Sequence, residues 1–361
     1  MSKKQRHKPV RRTGIETLEK RQVMSADPLG GPLDHHTIVE DPPSLVHHAD
    51  VPSLIHHDLR EADFWIDPNE ANSFDEMLWD VEQTLNSAHG VTGLDSVRAD
   101  YGFTGIGQTV AVIDSGIAYD HYALGSGYGS NYRVVGGWDF TENDADPYDD
   151  GAEGAHGTHV AGIVGGTGNT SGNDVGVAPG VDLVGLRVFD DAGNGSFGWV
   201  EEALQWVINN RTAFENPITA VNMSLGTTWN DDVPPAWGLT LLEDELAQLE
   251  ADGVFISVSA GNSYTTYNTP GLSYPAASPH VVPVMSIDDS GSLSYFSQRH
   301  SSAIAAPGRF IRSTIPDYAG NNNGVDDDWA NFSGTSMAAP YVAGASVLVR
   351  EAMDLVGYTN I

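Results

Sequence analysis

Residues 109–116 are TVAVIDSG, an apolar and β-branched run that ends in Asp114 and is followed by Ser115-Gly116, which break a strand and turn the chain. Five similar runs follow: VDLVGLRVF (181–189), AVNMSL (220–225), VFISVSA (254–260), VVPVMSI (281–287) and AIAAP (303–307). Helical patterns lie between several of them, notably at 197–214 and 236–251. Strands that alternate with helices of this length predict an α/β fold, with a mostly parallel sheet covered by helices on both faces.

Three polar residues occupy positions where such a fold carries reactive groups, near the carboxyl ends of strands. Asp114 ends the first run, His156 lies in GAHGTHVAGIVGG, and Ser336 lies in NFSGTSMAAPYVAGASVLVREAM, where a helix of small residues begins. A serine is a weak nucleophile unless a base takes its proton, and the base needs an acid to orient it. Taken singly, Asp114 is equally consistent with a strand-end turn and Ser336 with a helix N-cap.

A second histidine, His159, follows His156 by three residues on the same predicted helix. This spacing resembles a pair of zinc ligands, but no acidic third ligand lies nearby in sequence. We therefore predict that His159 is a buried structural histidine.

Together these motifs resemble the subtilase family of serine peptidases over residues 93–361. The matching segments are VAVIDSGI, HGTHVAG, NMSLG, SAGN and GTSMAAPYVAG, in that order. The resemblance implies a three-layer subtilisin-like fold in which Asp114 orients His156, His156 takes the proton of Ser336, and Ser336 attacks the peptide carbonyl. Asn262, in SAGN, matches the side-chain donor to the oxyanion. No cofactor is required for this chemistry.

The resemblance also implies two segments that bind an extended substrate as an added β-strand. Binding of this kind contacts the substrate backbone first, which suggests broad specificity. The residues implied are Gly193, Asn194 and Gly195 on one side, Ser224, Leu225 and Gly226 on the other, and Ala260 and Gly261 at the primary pocket.

The charge of the chain is large and unevenly distributed. Lys plus Arg number 17 and Asp plus Glu number 49, for a net charge of −32. Residues 1–24 hold 8 basic and 2 acidic residues (+6), so the remaining 337 hold 9 basic and 47 acidic residues (−38). A body this acidic argues against a nucleic-acid partner, which would be held through its phosphates. The chain has no cysteine and no run of eighteen apolar residues, which excludes thiolate chemistry and predicts no membrane span.

We divide the chain into three parts. Residues 1–26 are predicted to be a basic export or targeting segment, because GIETLEKRQVMSA resembles the LEPR-xLL segment of exported bacterial proteins. Residues 27–92, rich in Asp, Pro and His, are predicted to be a pro-segment or linker with one short helix at 73–85; their histidine pairs leave metal binding open beside a disordered linker. Residues 93–361 form the peptidase domain. Only 25 residues follow Ser336, fewer than in the family, so we expect its C-terminal end to be missing.

Calcium is the one cofactor that the sequence suggests, in a structural role. Residues 139–150 are DFTENDADPYDD, and Asp144, Asp146 and Asp149 within them are the candidate ligands. Clustered carboxylates suit calcium, and the family is often calcium-stabilised. Acidic runs are also commonly just solvated, and this spacing is not that of an EF-hand.

These observations predict an exported serine endopeptidase of broad specificity that acts on polypeptides, located extracellularly, at the cell surface or in the periplasm, with a monomeric catalytic domain. The alternative is a catalytically silent subtilase-like module that binds at the cell surface. An esterase is disfavoured, because the chain lacks a G-x-S-x-G elbow and carries its acid, base and nucleophile in a different order.

Overall fold

The computed structural model describes residues 46–47, 85–151, 154–236 and 238–358. Its centre is a seven-stranded sheet whose neighbouring strands are all parallel. In spatial order the strands are β10 (Ile304–Pro307), β9 (Val282–Ile287), β7 (Phe255–Ser259), β5 (Ile218–Met223), β2 (Thr109–Asp114), β4 (Asp182–Arg187) and β3 (Val134–Asp139).

Smaller sheets flank this centre. The strand β6 (Leu225–Asp231) lies between β1 (Val46–His47) and β8 (Leu272–Tyr274) and is antiparallel to both. The strands β11 (Ile311–Thr314) and β12 (Trp329–Phe332) form an antiparallel pair. Parallel strands need crossover connections, and the helices His156–Gly165, Phe197–Asn210 and Glu243–Ala251 lie in those of the central sheet.

Seven α-helices accompany the strands in the described part of the chain. They are α1 (Leu85–Thr92), α2 (Leu94–Tyr101), α3 (His156–Gly165), α4 (Phe197–Asn210), α5 (Glu243–Ala251), α6 (Tyr264–Tyr267) and α7 (Thr335–Leu355). Short 3₁₀ helices cover Tyr122–Leu124, Gly238–Thr240 and Asp317–Ala319. In the part of the chain that the structure describes, no helix is long and apolar enough to cross a membrane.

Two hydrophobic cores lie on opposite faces of the sheet, because successive side chains of a strand point to opposite sides. Ala111 and Ile113 of β2 join one core together with residues of α4 and α5. Val110 and Val112 join the other together with residues of α1, α3 and α7. The molecule is therefore built in three layers, and the predicted α/β fold with helices on both faces of a parallel sheet is confirmed.

The six predicted apolar runs coincide with strands of the central sheet, with ends shifted by at most two residues or so. The predicted helix at 236–251 is divided into the 3₁₀ turn Gly238–Thr240 and α5. Helix α1 was not predicted, and it places Leu85 in the core, eight residues before the predicted domain start at 93. The rest of the predicted helix at 73–85, residues 1–26 and most of 27–92 lie outside the described residues.

The seventh strand, β3, was also missed, since its sequence is VVGGWD. Two adjacent glycines weaken a strand prediction, but here close packing requires them. A Cβ at Gly137 would lie 2.1 Å from the carbonyl oxygen of Gly185, and one at Gly136 would lie 2.6 Å from the ring of Phe214.

Candidate active site

Asp114 ends β2, the strand in the middle of the sheet, and its side chain is fully buried. Its Oδ1 accepts hydrogen bonds from Nδ1 of His156, at 2.8 Å, and from the backbone N–H of Ser115, also at 2.8 Å. A carboxylate only accepts, so the hydrogen on the His156 ring sits on Nδ1. That assignment leaves Nε2 as the basic nitrogen.

His156 is the first residue of α3, and its side chain is almost completely buried. Two backbone features bring the helix start against the end of β2. Ala155 adopts a left-handed conformation (φ 80°), which is strained for a residue with a Cβ. Gly157 leaves no room for a side chain, since a Cβ there would lie 2.2 Å from the carbonyl oxygen of Gly116. The glycine in HGTH is therefore a packing requirement of the Asp–His pair.

Ser336 is the second residue of α7 and is fully buried. Its Oγ donates to the carbonyl oxygen of Ser224, at 3.4 Å, and the Ser224 hydroxyl donates to the carbonyl oxygen of Ser336, at 2.8 Å. Asn222 in turn donates to the Ser224 hydroxyl through Nδ2, at 2.9 Å. The first N–H groups of a helix have no carbonyl partner within it, so the Ser336 N–H lies where an oxyanion can accept from it.

Asn262 follows β7 and is oriented by Thr335, the residue before Ser336. Its Oδ1 accepts from the backbone N–H of Thr335 at 2.9 Å and from the Thr335 hydroxyl at 3.0 Å. Because the backbone N–H can only donate, the amide oxygen must face Thr335 and the Nδ2 end faces the other way. The same hydroxyl accepts from the Gly261 N–H at 3.1 Å. The SAGN segment and the start of α7 are thus joined directly.

The site forms because β7, β5 and β2 are neighbours in the sheet and all point their carboxyl ends to one edge. Asn262, Ser224 and Asp114 follow or end these three strands. The structure brings Asp114 to His156, and Ser336 to Ser224, while Asn262 contacts Thr335.

The substrate-binding candidates occupy two separate segments. Gly193 and Asn194 lie in a turn after β4, in which the Asp190 carboxylate accepts from the Asn194 backbone N–H at 2.8 Å, and Gly195 forms an antiparallel bridge with Phe189. On the other segment, Ser224 precedes β6, which begins with Leu225 and Gly226, and β1 pairs with both of these residues, His47 opposite Leu225 and Val46 opposite Gly226.

At the predicted primary pocket, Ala260 accepts from the Ser273 N–H at 2.9 Å. Its neighbour Gly261 has φ 106° and packs against Gln298, whose Oε1 would lie 2.0 Å from a Cβ at that position. Both conditions favour glycine there, so this segment fits closely against its surroundings.

The three candidate calcium ligands do not converge. Asp144 accepts from the Asp146 N–H, Asp146 accepts from the Tyr119 hydroxyl, and the buried Asp149 uses both oxygens on protein donors. Within residues 85–151, 154–236 and 238–358, no three acidic or histidine side chains are grouped so that they could hold a metal ion. The carboxylate of Asp149 does not fit a calcium site, because its acceptor sites are already used. Calcium binding by this protein stays a prediction.

Several residues of the site were missed in the sequence. Ser115, Thr158 and Asp149 link the end of β2 to the start of α3, and Thr335 orients Asn262. Only their positions next to the motif residues could have indicated this. Asp149 was predicted to be a calcium ligand in an acidic run, because the sequence does not show that it is buried.

His159 is fully buried, as predicted. Its Nε2 donates to the carbonyl oxygens of Ile311, at 3.0 Å, and Ala330, at 3.1 Å, and its ring stacks on Phe332. Burial lowers the pKa of His159 from its ordinary value of 6.5 to about 3. The neutral imidazole is therefore part of the folded structure.

The lowered pKa of His159 should be visible in how the free energy of unfolding changes with pH. Below pH 6.5 the unfolded chain gains a proton on residue 159 and the folded chain does not, so its contribution is complete above pH 6.5 and is lost between pH 6.5 and about 3. Because Gln can donate to the same two carbonyls, His159→Gln is the matched variant. We expect the free energy of unfolding of the wild type minus that of His159→Gln to fall by roughly 1.4 kcal/mol per pH unit in this window. Urea unfolding at pH 7, 6 and 5 measures it, and a constant difference would contradict the assignment.

The three-layer α/β fold and a histidine bound to a buried carboxylate at the carboxyl edge of the sheet are typical of serine hydrolases. The family model described as the Subtilase family matches residues 105–360, and the chain belongs to this family.

Individual relatives agree with this assignment. Subtilisin E of Bacillus subtilis (strain 168) is 33% identical over 262 residues, which are 71% of this chain and 60% of that protein. Alkaline elastase YaB of Bacillus sp. (strain YaB) is 34% identical over 264 residues, 72% of this chain and 59% of that protein. This chain therefore spans about 60% of the length of these two relatives.

A solved structure is also similar. The crystal structure of a cold adapted subtilisin-like serine proteinase superposes with a TM-score of 0.54 at 34% identity, covering 69% of this chain and 77% of that one.

Proposed function

We propose that this chain is a serine endopeptidase that hydrolyses peptide bonds with Asp114, His156 and Ser336. The observation that carries the proposal is the buried hydrogen bond of 2.8 Å between Asp114 Oδ1 and His156 Nδ1 at the carboxyl edge of the sheet. A histidine held in this way exposes its basic nitrogen to a nucleophile, and Ser336 stands at a helix N-terminus, where a developing negative charge is stabilised.

In the proposed reaction, Nε2 of His156 takes the proton of Ser336 Oγ as Oγ bonds to the substrate carbonyl carbon. The carbonyl oxygen becomes an oxyanion, which accepts hydrogen bonds from Asn262 Nδ2 and the Ser336 N–H. His156 then gives its proton to the leaving amine, the C–N bond breaks, and an acyl-enzyme forms. A water molecule, deprotonated by His156, repeats the attack and releases the acid. Asp114 stabilises the imidazolium that forms in each half.

We further propose that the substrate binds as a β-strand against Leu225 and Gly226. The pairing of Val46–His47 with these two residues supports this, because a segment of the chain itself lies antiparallel to them. A strand that binds through backbone hydrogen bonds places few demands on substrate side chains, which supports broad specificity. The resemblance of residues 1–26 to an export segment supports an exported enzyme, and we propose a monomeric catalytic domain.

Labelling with a fluorophosphonate probe tests the proposed function. We expect the wild type to be labelled at one residue and Ser336→Ala not to be labelled, with casein hydrolysis lost in parallel, because the probe reacts only with an activated serine. A folded wild type that binds peptides but is neither labelled nor active would instead favour the silent binding module.

A further inference from the structure

Asp149, in the loop between β3 and α3, is fully buried, although carboxylates are rarely placed there without partners. Its Oδ1 accepts from the Ser115 hydroxyl at 3.0 Å and the Ala155 N–H at 3.1 Å. Its Oδ2 accepts from the Thr158 N–H at 3.0 Å and the Thr158 hydroxyl at 2.5 Å. Four donors thus satisfy one carboxylate that the proposed reaction does not use.

These donors flank Asp114 and His156, whose hydrogen bond is central to the proposed reaction. Ser115 directly follows Asp114, Ala155 directly precedes His156, and Thr158 follows His156 by two residues. The Ser115 hydroxyl also accepts from the Gly157 N–H at 2.9 Å, so the end of β2 and the start of α3 are joined twice through this group of atoms. Asp149 therefore holds the two segments on either side of the Asp114–His156 hydrogen bond.

The loop that carries Asp149 is itself anchored. The next residue, Asp150, accepts from Nη1 of Arg187 at 2.6 Å, and the same nitrogen lies 3.1 Å from Asp139. Arg187 ends β4 directly opposite Asp114 in the sheet. Asp149 is thus fixed relative to β2 through the neighbouring strand, and it is not a mobile cap that follows the helix.

We propose that Asp149 is a positioning residue of the catalytic site, which acts by holding Ser115 and the first turn of α3 so that Asp114 and His156 meet in productive geometry. The proposal rests on the proposed function for its catalytic consequence, whereas its geometric part concerns the folded protein alone. A negative charge at the N-terminus of α3 also interacts favourably with the helix dipole. Burial opposes that charge and raises the pKa of Asp149 to about 6, and the four donors act against this effect.

The variant Asp149→Asn tests this with little change in size. Backbone N–H groups face both ends of the carboxylate, from Ala155 and from Thr158, and neither can accept. Whichever way the amide turns, its NH₂ end faces one of them, and that side must move. We expect kcat to fall roughly 10- to 100-fold with KM within twofold, because small misplacements of reacting groups cost this much.

Asp174→Asn is the matched control. Asp174 is also buried, and its carboxylate accepts from the Leu85 N–H and from Asn169, far in sequence from the catalytic motifs. We expect both variants to lower Tm, but only Asp149→Asn to lower kcat per labelled site. The proton NMR signal of the His156 Nδ1–H, downfield because of its bond to Asp114, should shift or broaden in Asp149→Asn and stay unchanged in Asp174→Asn.

A wild-type kcat and an unchanged downfield signal in folded Asp149→Asn would overturn the proposal and leave Asp149 a role in stability alone. If Asp149→Asn does not fold, Ser115→Ala removes one of the links and leaves the carboxylate in place. Ser115→Ala should then show the same shift of the His156 Nδ1–H signal with a smaller loss of kcat. The absence of that shift would equally overturn the proposal. The signal does not depend on turnover, so an inactive wild type would contradict the proposed function without deciding the positioning role.

Discussion

Replacing Ser336 with alanine should lower kcat for a peptide amide substrate by about 10⁶-fold, with KM little changed, a magnitude known for the nucleophile of subtilisin. The physical reason is that alanine removes the oxygen atom that forms the acyl-enzyme in the proposed reaction. The residual rate stays above that in water, because Asn262 and the substrate-binding segments are untouched. Steady-state kinetics provide the measurement, with the wild-type active sites counted by fluorophosphonate titration and the variant counted by the concentration of folded protein.

The control for this variant is Ser346→Ala on the same helix. The Ser346 hydroxyl donates to the Ala343 carbonyl oxygen at 2.7 Å, within the helix and ten residues beyond Ser336. Its removal should leave kcat unchanged within about twofold, because Ser346 is only half-buried and its hydroxyl bonds within the helix, ten residues from the proposed nucleophile. Retention of more than a few per cent of wild-type activity by Ser336→Ala would rule out Ser336 as the nucleophile.

The second large effect is expected for Asp114→Asn, with kcat reduced by roughly 10⁴-fold, as is known for the corresponding aspartate of serine proteases. The hydrogen bonds from the Ser115 N–H and from His156 Nδ1 both go to Oδ1 of Asp114, so an asparagine can keep its oxygen there. What it loses is the negative charge that stabilises the imidazolium formed in each transition state. We therefore expect a folded protein with unchanged KM.

A double variant separates this effect from misfolding. When Ser336 is already alanine, no proton passes to His156, and the charge of residue 114 has nothing to stabilise. Asp114→Asn in the Ser336→Ala background should thus cause almost no further loss of kcat, because the members of a triad act as a unit. Additive losses in the double variant would contradict the assigned role of Asp114.

The sequence could predict the strands because their signals are local, as in the apolar run that Asp114 ends. The roles proposed for Asp114, His156 and Ser336 came from the resemblance of their motifs to the subtilase family, because Asp114 and Ser336 taken singly fit a turn and a helix cap equally well. Thr335 and Asp149 could not be assigned in this way, since their roles depend on contacts with Asn262 and with Ser115, which are distant in the chain. The strand β3 was missed for a similar reason. Its two glycines leave room for Gly185 and Phe214, and the sequence does not identify these residues as neighbours.

The arrangement of the central sheet bears on how the protein folds. Asp114 and His156 belong to the half of the site built on β2 and α3, whereas Ser336 and Asn262 belong to the half built on β5, β7 and α7. The pairing of β2 with β5 joins the halves, and in it Ile218 lies opposite Thr109, 109 positions earlier. Contacts between residues so far apart form slowly, because a long loop must close first. The proposed peptidase would therefore become able to act only once these two halves of the site have joined through the pairing of β2 with β5.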